Sequence, residues 1–129
     1  MLNKEKLLES GLSLRKSEYI IDISKLIVDD KLDLDHLKEY NDVTKIIDEL
    51  SQLRGVGEWT AHLTVLRSMH RHRAFPADDL GLRRSISHFY CNDKKITADD
   101  ARKIAGKWGK WGGLAGFYLI AGEIRGIII

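Results

Sequence analysis

Apolar residues recur every three or four positions along most of this chain, and the two-residue alternation of strands is absent. The pattern predicts short helices joined by tight turns. Lys4 to Ser10 forms a first helix, stopped at Gly11. Ser13 caps a second from Leu14 to about Asp29, with Ile20, Ile23, Leu26 and Ile27 at helical spacing. Asp33 or Asp35 opens a third that runs through Tyr40. Asp42 caps a fourth from Val43 to Gln52, whose inner face is Val43, Ile46, Ile47 and Leu50. A helix from Glu58 to about Met69 carries Ala61, Val65, Leu66 and Met69 on its apolar side. Pro76 and the residue before it are extended, so the loop ahead of the next helix is not helical. Asp78 or Asp79 starts that helix near Leu80, and Leu82, Ile86 and Phe89 form its buried stripe. Thr97, followed by Asp99 and Asp100, caps a helix to about Trp108. A last helix spans roughly Leu114 to Arg125. The fold class is all-α, in one domain portion covering 1–129.

Between the fourth and fifth of these helices stands Leu53-Arg54-Gly55-Val56-Gly57. Two glycines one residue apart permit a backbone turn that a Cβ would obstruct. The turn ends where a helix begins, so several amide N–H groups point outward without partners. Such a turn holds a phosphate by hydrogen bonds and the helix dipole without reading sequence. The plainer alternative is an interhelical turn with no ligand.

Charge sharpens this picture. The net charge of +2 conceals an asymmetry: residues 1–52 carry 8 Lys/Arg against 12 Asp/Glu, a net of −4, and residues 53–129 carry 13 against 7, a net of +6. Nucleic-acid binding belongs on the basic half, which begins at the glycine pair. The single cysteine, Cys91, excludes an intramolecular disulfide and a four-cysteine iron–sulfur cluster. His62, His70 and His88 do not group with Cys91 at zinc-ligand spacing, so no zinc site is expected. No apolar run is long enough to cross a membrane, and the first residues lack the apolar core of a signal peptide. The expectation is a cytoplasmic protein, nucleoid-associated if prokaryotic.

The order of residues from Leu53 onward resembles the helix-hairpin-helix (HhH-GPD) DNA glycosylases, in their AlkA-like, DNA-3-methyladenine branch. The likeness rests on Leu53-x-Gly55-Val56-Gly57-x-Trp59-Thr60-Ala61, then Phe75-Pro76-x-Asp78-Asp79-Leu80-x-Leu82-x-Arg84. Trp108-x-x-Trp111 follows, with Ala115 and Tyr118 on the last helix. Upstream, Gly11-Leu12-Ser13-x-x-Lys16 with Tyr19-Ile20 continues it. The resemblance covers nearly the whole chain but only the C-terminal portion of the family domain. It implies a helix-hairpin-helix fold, with the hairpin at 53–57 and a catalytic segment at 75–84. It also implies removal of alkylated purines such as 3-methyladenine from double-stranded DNA in base-excision repair.

Residue by residue, the resemblance makes Asp79 the catalytic carboxylate, with Asp78 structural. Cleaving a C1′–N bond develops oxocarbenium charge on the sugar, which an ionised carboxylate stabilises while it orients or deprotonates water. The plain alternative for either aspartate is helix capping. Relatives that also cut the DNA backbone carry a lysine two residues after the second glycine, which forms a Schiff base. Here Trp59 stands there, implying a water nucleophile and a monofunctional enzyme. Its ring and that of Tyr118 suit stacking on a flipped base. Arg54, Gly55, Val56, Gly57 and Thr60 are the implied contacts to the DNA backbone, with Arg71, His72 and Arg73 as further phosphate or solvent residues. The carbonyls of Ser51, Leu53 and Val56 are the implied ligands of a Na+ or K+ ion, and no cofactor is required for the reaction. Trp108 and Trp111 read as core, supporting the catalytic helix.

Three departures bear on specificity and assembly. Gly112-Gly113 follows Trp111 where relatives carry a polar residue or Arg. Leu63 and Ile120 stand where some relatives place pocket aromatics. Family members also have a long segment before the turn at Gly11, which supplies cleft wall and the wedge that replaces a flipped base. Ile20, Ile23, Ile27, Ile46, Ile47 and Leu50, with Phe117, Leu119, Ile120, Ile124 and Ile127 to Ile129, are then expected to form an uncovered apolar surface. A homodimer, or a partner supplying the missing N-terminal segment, would cover it. The alternative to an enzyme is a catalytically weak or silent helix-hairpin-helix DNA-binding fragment or subunit.

Overall fold

The structure is a computed structural model and describes residues 3–127. These residues are helical, with no strand among them, and gather into two compact units divided between Val56 and Gly57.

The first unit holds α1 (Lys4–Glu9), α2 (Leu14–Val28), α3 (Leu34–Glu39) and α4 (Val43–Ser51). A side-chain cap starts each helix. Asn3, Ser13, Asp33 and Asp42 accept from the backbone N–H groups of Lys6, Lys16, Asp35 with His36, and Thr44, at 2.9–3.3 Å. Each cap stabilises its helix by about 1 kcal/mol. Gly11, at φ +86, ends α1 with a turn that a Cβ would strain. Lys4 on α1 pairs with Glu18 on α2 at 3.1 Å and holds the Glu18 carboxyl below the usual carboxylate range. The apolar run of α2 is only partly covered, with Ile20 and Ile27 exposed, Ile23 and Leu26 half-buried, and Ser17 the buried residue of the helix. By contrast α4 buries Ile46, Ile47 and Leu50. The expected uncovered surface is therefore corrected: it includes α2 but not α4.

The second unit holds α5 (Glu58–Ser68), α6 (Leu80–Tyr90), α7 (Ala98–Gly106), a single 3-10 turn at Gly109–Trp111, and α8 (Gly112–Ile124). Thr97 and Asp100 form a capping box at the start of α7. Leu82, Ile86 and Ala101 are fully buried, with Phe75, Ile96, Ile104, Trp108, Leu119 and Ile120 packed around them. Two expectations about this core are corrected. Phe89 is exposed, because it sits three residues beyond Ile86, where α6 nears its end, and its ring neighbour is His88. Trp111 is 52% exposed beside His72, since the 3-10 turn swings it off the face that Trp108 occupies. Trp108 does support α6 and its approach, meeting Phe75 and Tyr90 edge-on.

The last helix begins two residues earlier than expected and takes in Gly112 and Gly113. Gly113 donates its N–H to the His72 carbonyl at 2.8 Å. A Cβ there would lie 2.2 Å from the Ala74 oxygen and 2.4 Å from the His72 oxygen. At Gly116 it would lie 2.9 Å from the Phe75 ring. The loop backbone from His72 to Ala74 therefore lies directly on the start of α8. Ala74, Pro76 and Ala77 are buried, which fixes the path of the chain into Asp78 and Asp79. The expected uncovered tail is corrected at Leu119 and Ile120, which pack against the core of this unit; Ile124 and Ile127 are exposed, and Ile128 and Ile129 lie outside the described residues.

Candidate active site

In the second unit, Asp79 is the N-cap of α6. Its Oδ1 accepts the Leu82 N–H at 2.8 Å, and its Oδ2 accepts the indole N–H of Trp59 at 3.0 Å. Capping and a chemical role are thus not alternatives here: one oxygen holds the helix, and the other is oriented by an aromatic donor. Trp59 lies in the first turn of α5 and is 44% exposed. Together they border an open cavity of about 380 Å³, whose other walls include Arg84, Ile120, Glu123 and Ile124.

The neighbouring carboxylate turns elsewhere. Asp78 pairs with Arg102 at 3.3 Å, and Arg102 also reaches Asp99 at 2.7 Å and Glu58 at 3.8 Å. This group ties the start of α5 and the segment before α6 to α7, so Asp78 is occupied structurally. His62, one turn along α5, is 19% exposed, and burial pushes its pKa down. Its Nδ1 is buried without a partner among the described residues.

The first unit ends in the hairpin. Val56 donates its N–H to the Leu53 carbonyl at 3.0 Å, closing the turn. Gly55 has φ +89, and a Cβ there would fall 2.2 Å from Cγ of Tyr19. The turn is thus seated on the Tyr19 ring. Arg54 stacks over the same ring and pairs with Asp22 at 2.8 Å and Glu18 at 3.4 Å. That guanidinium therefore clamps the turn to α2. The Ser51 hydroxyl is buried and has no partner among the described residues.

Gly57 differs from Gly55. It opens α5 in an extended conformation at φ −83, caps with no side chain, and a Cβ on it would meet nothing within 4 Å. The fold makes no steric demand for glycine at that position. Thr60 sits half-buried in the first turn of α5. Tyr118 is exposed on α8 and packs edge-on against Phe117; it is not among the residues lining the cavity beside Asp79.

Sequence reasoning did not find three features of this site. The indole–carboxylate bond depends on two residues 20 apart and leaves no local mark. Arg84 was legible only as part of a motif. Glu123 has one signal, a carboxylate in the otherwise apolar last helix, one turn beyond Ile120.

This all-helical chain belongs to the HhH-GPD superfamily of base excision DNA repair proteins, whose family pattern matches residues 1–110. Among individual proteins it is similar to the DNA-3-methyladenine glycosylase of Bacillus subtilis strain 168, at 36% identity over 84% of this chain and 35% of that protein. It is also similar in structure to the 3-methyladenine DNA-glycosylase from Archaeoglobus fulgidus, with TM-score 0.81 and 35% identity, covering 94% of this chain and 40% of that one. The structure of MBOgg1 in complex with a low affinity DNA ligand matches with TM-score 0.82 and 26% identity, over 97% of this chain and 42% of that one. The chain thus spans less than half the length of each of these proteins.

Proposed function

We propose that this chain carries the catalytic portion of a monofunctional DNA glycosylase that hydrolyses the N-glycosidic bond of alkylated purines, 3-methyladenine-like, in double-stranded DNA. The observation that carries this reading is Asp79: a capped carboxylate, oriented by Trp59, at the edge of a cavity in a base-excision repair fold. The flipped base enters the cavity, and the C1′–N bond breaks with its electron pair leaving on the base. An alkylated purine carries positive charge and leaves neutral. Asp79 stabilises the oxocarbenium charge and directs water to C1′, which gains the hydroxyl while the water's proton is released. Trp59 fills two duties in this reading, presenting a ring face to the base and an N–H to the carboxylate. Tyr118, by contrast, would need a base reaching beyond the cavity, so its base contact is carried by the family resemblance alone.

The expected product is an intact abasic strand, because no lysine stands at the position of Trp59. Incubation with duplex DNA containing 3-methyladenine, with borohydride present, should release free base and trap no covalent adduct. A trapped adduct would remove the monofunctional claim.

For the DNA backbone, the reading names in the second unit the start of α5 at Gly57 and Thr60, which no side chain caps, and, separately in the first unit, the turn residues Arg54, Gly55 and Val56. Arg54 serves this indirectly, by fixing the turn through Asp22 and Glu18. Gly57→Leu should weaken binding about tenfold for every duplex sequence alike, because the side chain fills open space that a phosphate would occupy. Its thermal midpoint should fall by no more than a few degrees, since leucine is only a poorer N-cap than glycine and its Cβ meets no clash. A changed sequence preference at unchanged affinity would place the phosphate elsewhere.

The hairpin fits a monovalent cation. The carbonyls of Ser51, Leu53 and Val56 are neutral hard donors, and the buried Ser51 hydroxyl lacks a partner among the described residues. A Na+ or K+ held there adds positive potential for phosphate and takes no part in bond cleavage. Exposed Leu14, Ile20, Ile27 and Val28 on α2 favour cover by a second copy or by a separate chain. Sedimentation at two loading concentrations tests this, and a monomer at both would count against self-association. A cytoplasmic, DNA-associated location goes with this function.

A further inference from the structure

The cavity beside Asp79 contains a second carboxylate. Glu123 on α8 is 17% exposed and accepts a hydrogen bond from Arg84 of α6 through Oε1. Its Oε2 lies over the first turn of α6: a Cβ on Gly81 would be 2.7 Å from Glu123 Oε2 and 3.3 Å from Asp79 Oδ1. Glycine at 81 therefore lets the two carboxylates converge on one spot. Of the other polar groups of the wall, the Trp59 N–H is engaged by Asp79, the Asp78 carboxylate by Arg102, and one Arg84 nitrogen by Glu123 itself. Leu80, Ile120 and Ile124 are apolar. Glu123 Oε2 is left as an acceptor with lone pairs to offer, on a side chain held by a guanidinium.

We propose that Glu123, positioned by Arg84 and Gly81, is a specificity-determining residue that selects bases carrying an exocyclic amino group over bases carrying a carbonyl there. The amino group donates to Oε2, whereas a carbonyl oxygen in the same place faces the carboxylate with no hydrogen between them. The proposal rests on the glycosylase reading and names the kind of purine the site takes. Selection by an unmet buried hydrogen bond is the strong form of discrimination in a binding pocket.

The test measures excision of 3-methyladenine and of hypoxanthine from matched duplexes by the wild-type chain, Glu123→Gln and Gly81→Ala. The ratio of the two rates is compared between proteins, which cancels the different intrinsic lability of the lesions. Gln keeps the shape and can still accept from Arg84, but its amide also donates, so the ratio should fall by about tenfold. Gly81→Ala pushes the Glu123 carboxylate from its seat and should narrow the ratio in the same direction. If the wild type excises 3-methyladenine and both variants lower the two rates in equal proportion, Glu123 is a structural partner of Arg84 and the proposal is overturned alone. No excision by the wild type on either duplex would overturn the enzyme reading and this proposal with it.

Discussion

Asp79→Asn is expected to lower base excision by about a thousandfold or more while leaving fold and DNA binding in place. The substitution isolates charge from shape. Asparagine is as good an N-cap as aspartate, so its oxygen can keep the bond to the Leu82 N–H. The loss falls on the other side, where an amide nitrogen cannot accept the Trp59 N–H now bound at 3.0 Å. That costs about 1 kcal/mol of stability. In the proposed mechanism, however, the oxocarbenium charge loses the carboxylate that Trp59 holds in place for it. Thermal melting should therefore shift by a few degrees, and salt-sensitive DNA binding should persist, because the proposed phosphate contacts are at the start of α5 and not at Asp79. Parallel collapse of melting, binding and excision would show that Asp79 holds the fold and does no chemistry.

Gly113→Ala is expected to destabilise the protein by about 3–5 kcal/mol, in the range of the severest single substitutions. The new Cβ would sit 2.2 Å and 2.4 Å from two backbone oxygens, of Ala74 and His72. Backbone cannot rotate aside as a side chain can, so the loop must lift from α8. It would break the 2.8 Å bond from the Gly113 N–H and unseat Ala74, Pro76 and Ala77, which lead into Asp79. Gly112→Ala is the internal control. Its Cβ meets the Ala105 carbonyl at 3.4 Å, an ordinary contact, and alanine favours the helix by about 0.5–1 kcal/mol over glycine. A melting series of the two variants decides the point: equal small shifts would mean that the loop is not seated on Gly113.

Much of the architecture is legible in residue order. The caps Ser13, Asp42 and Thr97 stand where the sequence places them, Asp33 is the one of Asp33 and Asp35 that caps α3, and helix boundaries fall within about two residues of expectation. The apolar stripe of α2 was equally clear as a helix signal, yet none of it is fully buried, and Ile20 and Ile27 are exposed. Periodicity reports that a helix has an apolar face. It does not report whether anything lies against that face. Phe89 and Trp111 illustrate the same gap at the end of α6 and in the 3-10 turn.

What the sequence determined by itself is what acts within a few residues: caps, turns at Gly11 and Gly55, helical period, and the carboxylate pair at the start of α6. These depend on backbone geometry and on bonds between residues up to four apart, so local order is enough to define them. The tertiary structure alone decided how the charged groups are used. It turned Asp78 toward Arg102 and left Asp79 to Trp59, folded Arg54 back onto Asp22 and Glu18, and brought Glu123 from the last helix beside Asp79. It also gave the two glycines of the hairpin separate reasons, a Tyr19 ring beneath Gly55 and open space at Gly57. Each outcome depends on which long side chain reaches which partner in space. Sequence spacing does not encode that reach, since Arg54 and Asp22, Trp59 and Asp79, Arg84 and Glu123, and Arg102 and Asp78 are separated by 20 to 39 residues.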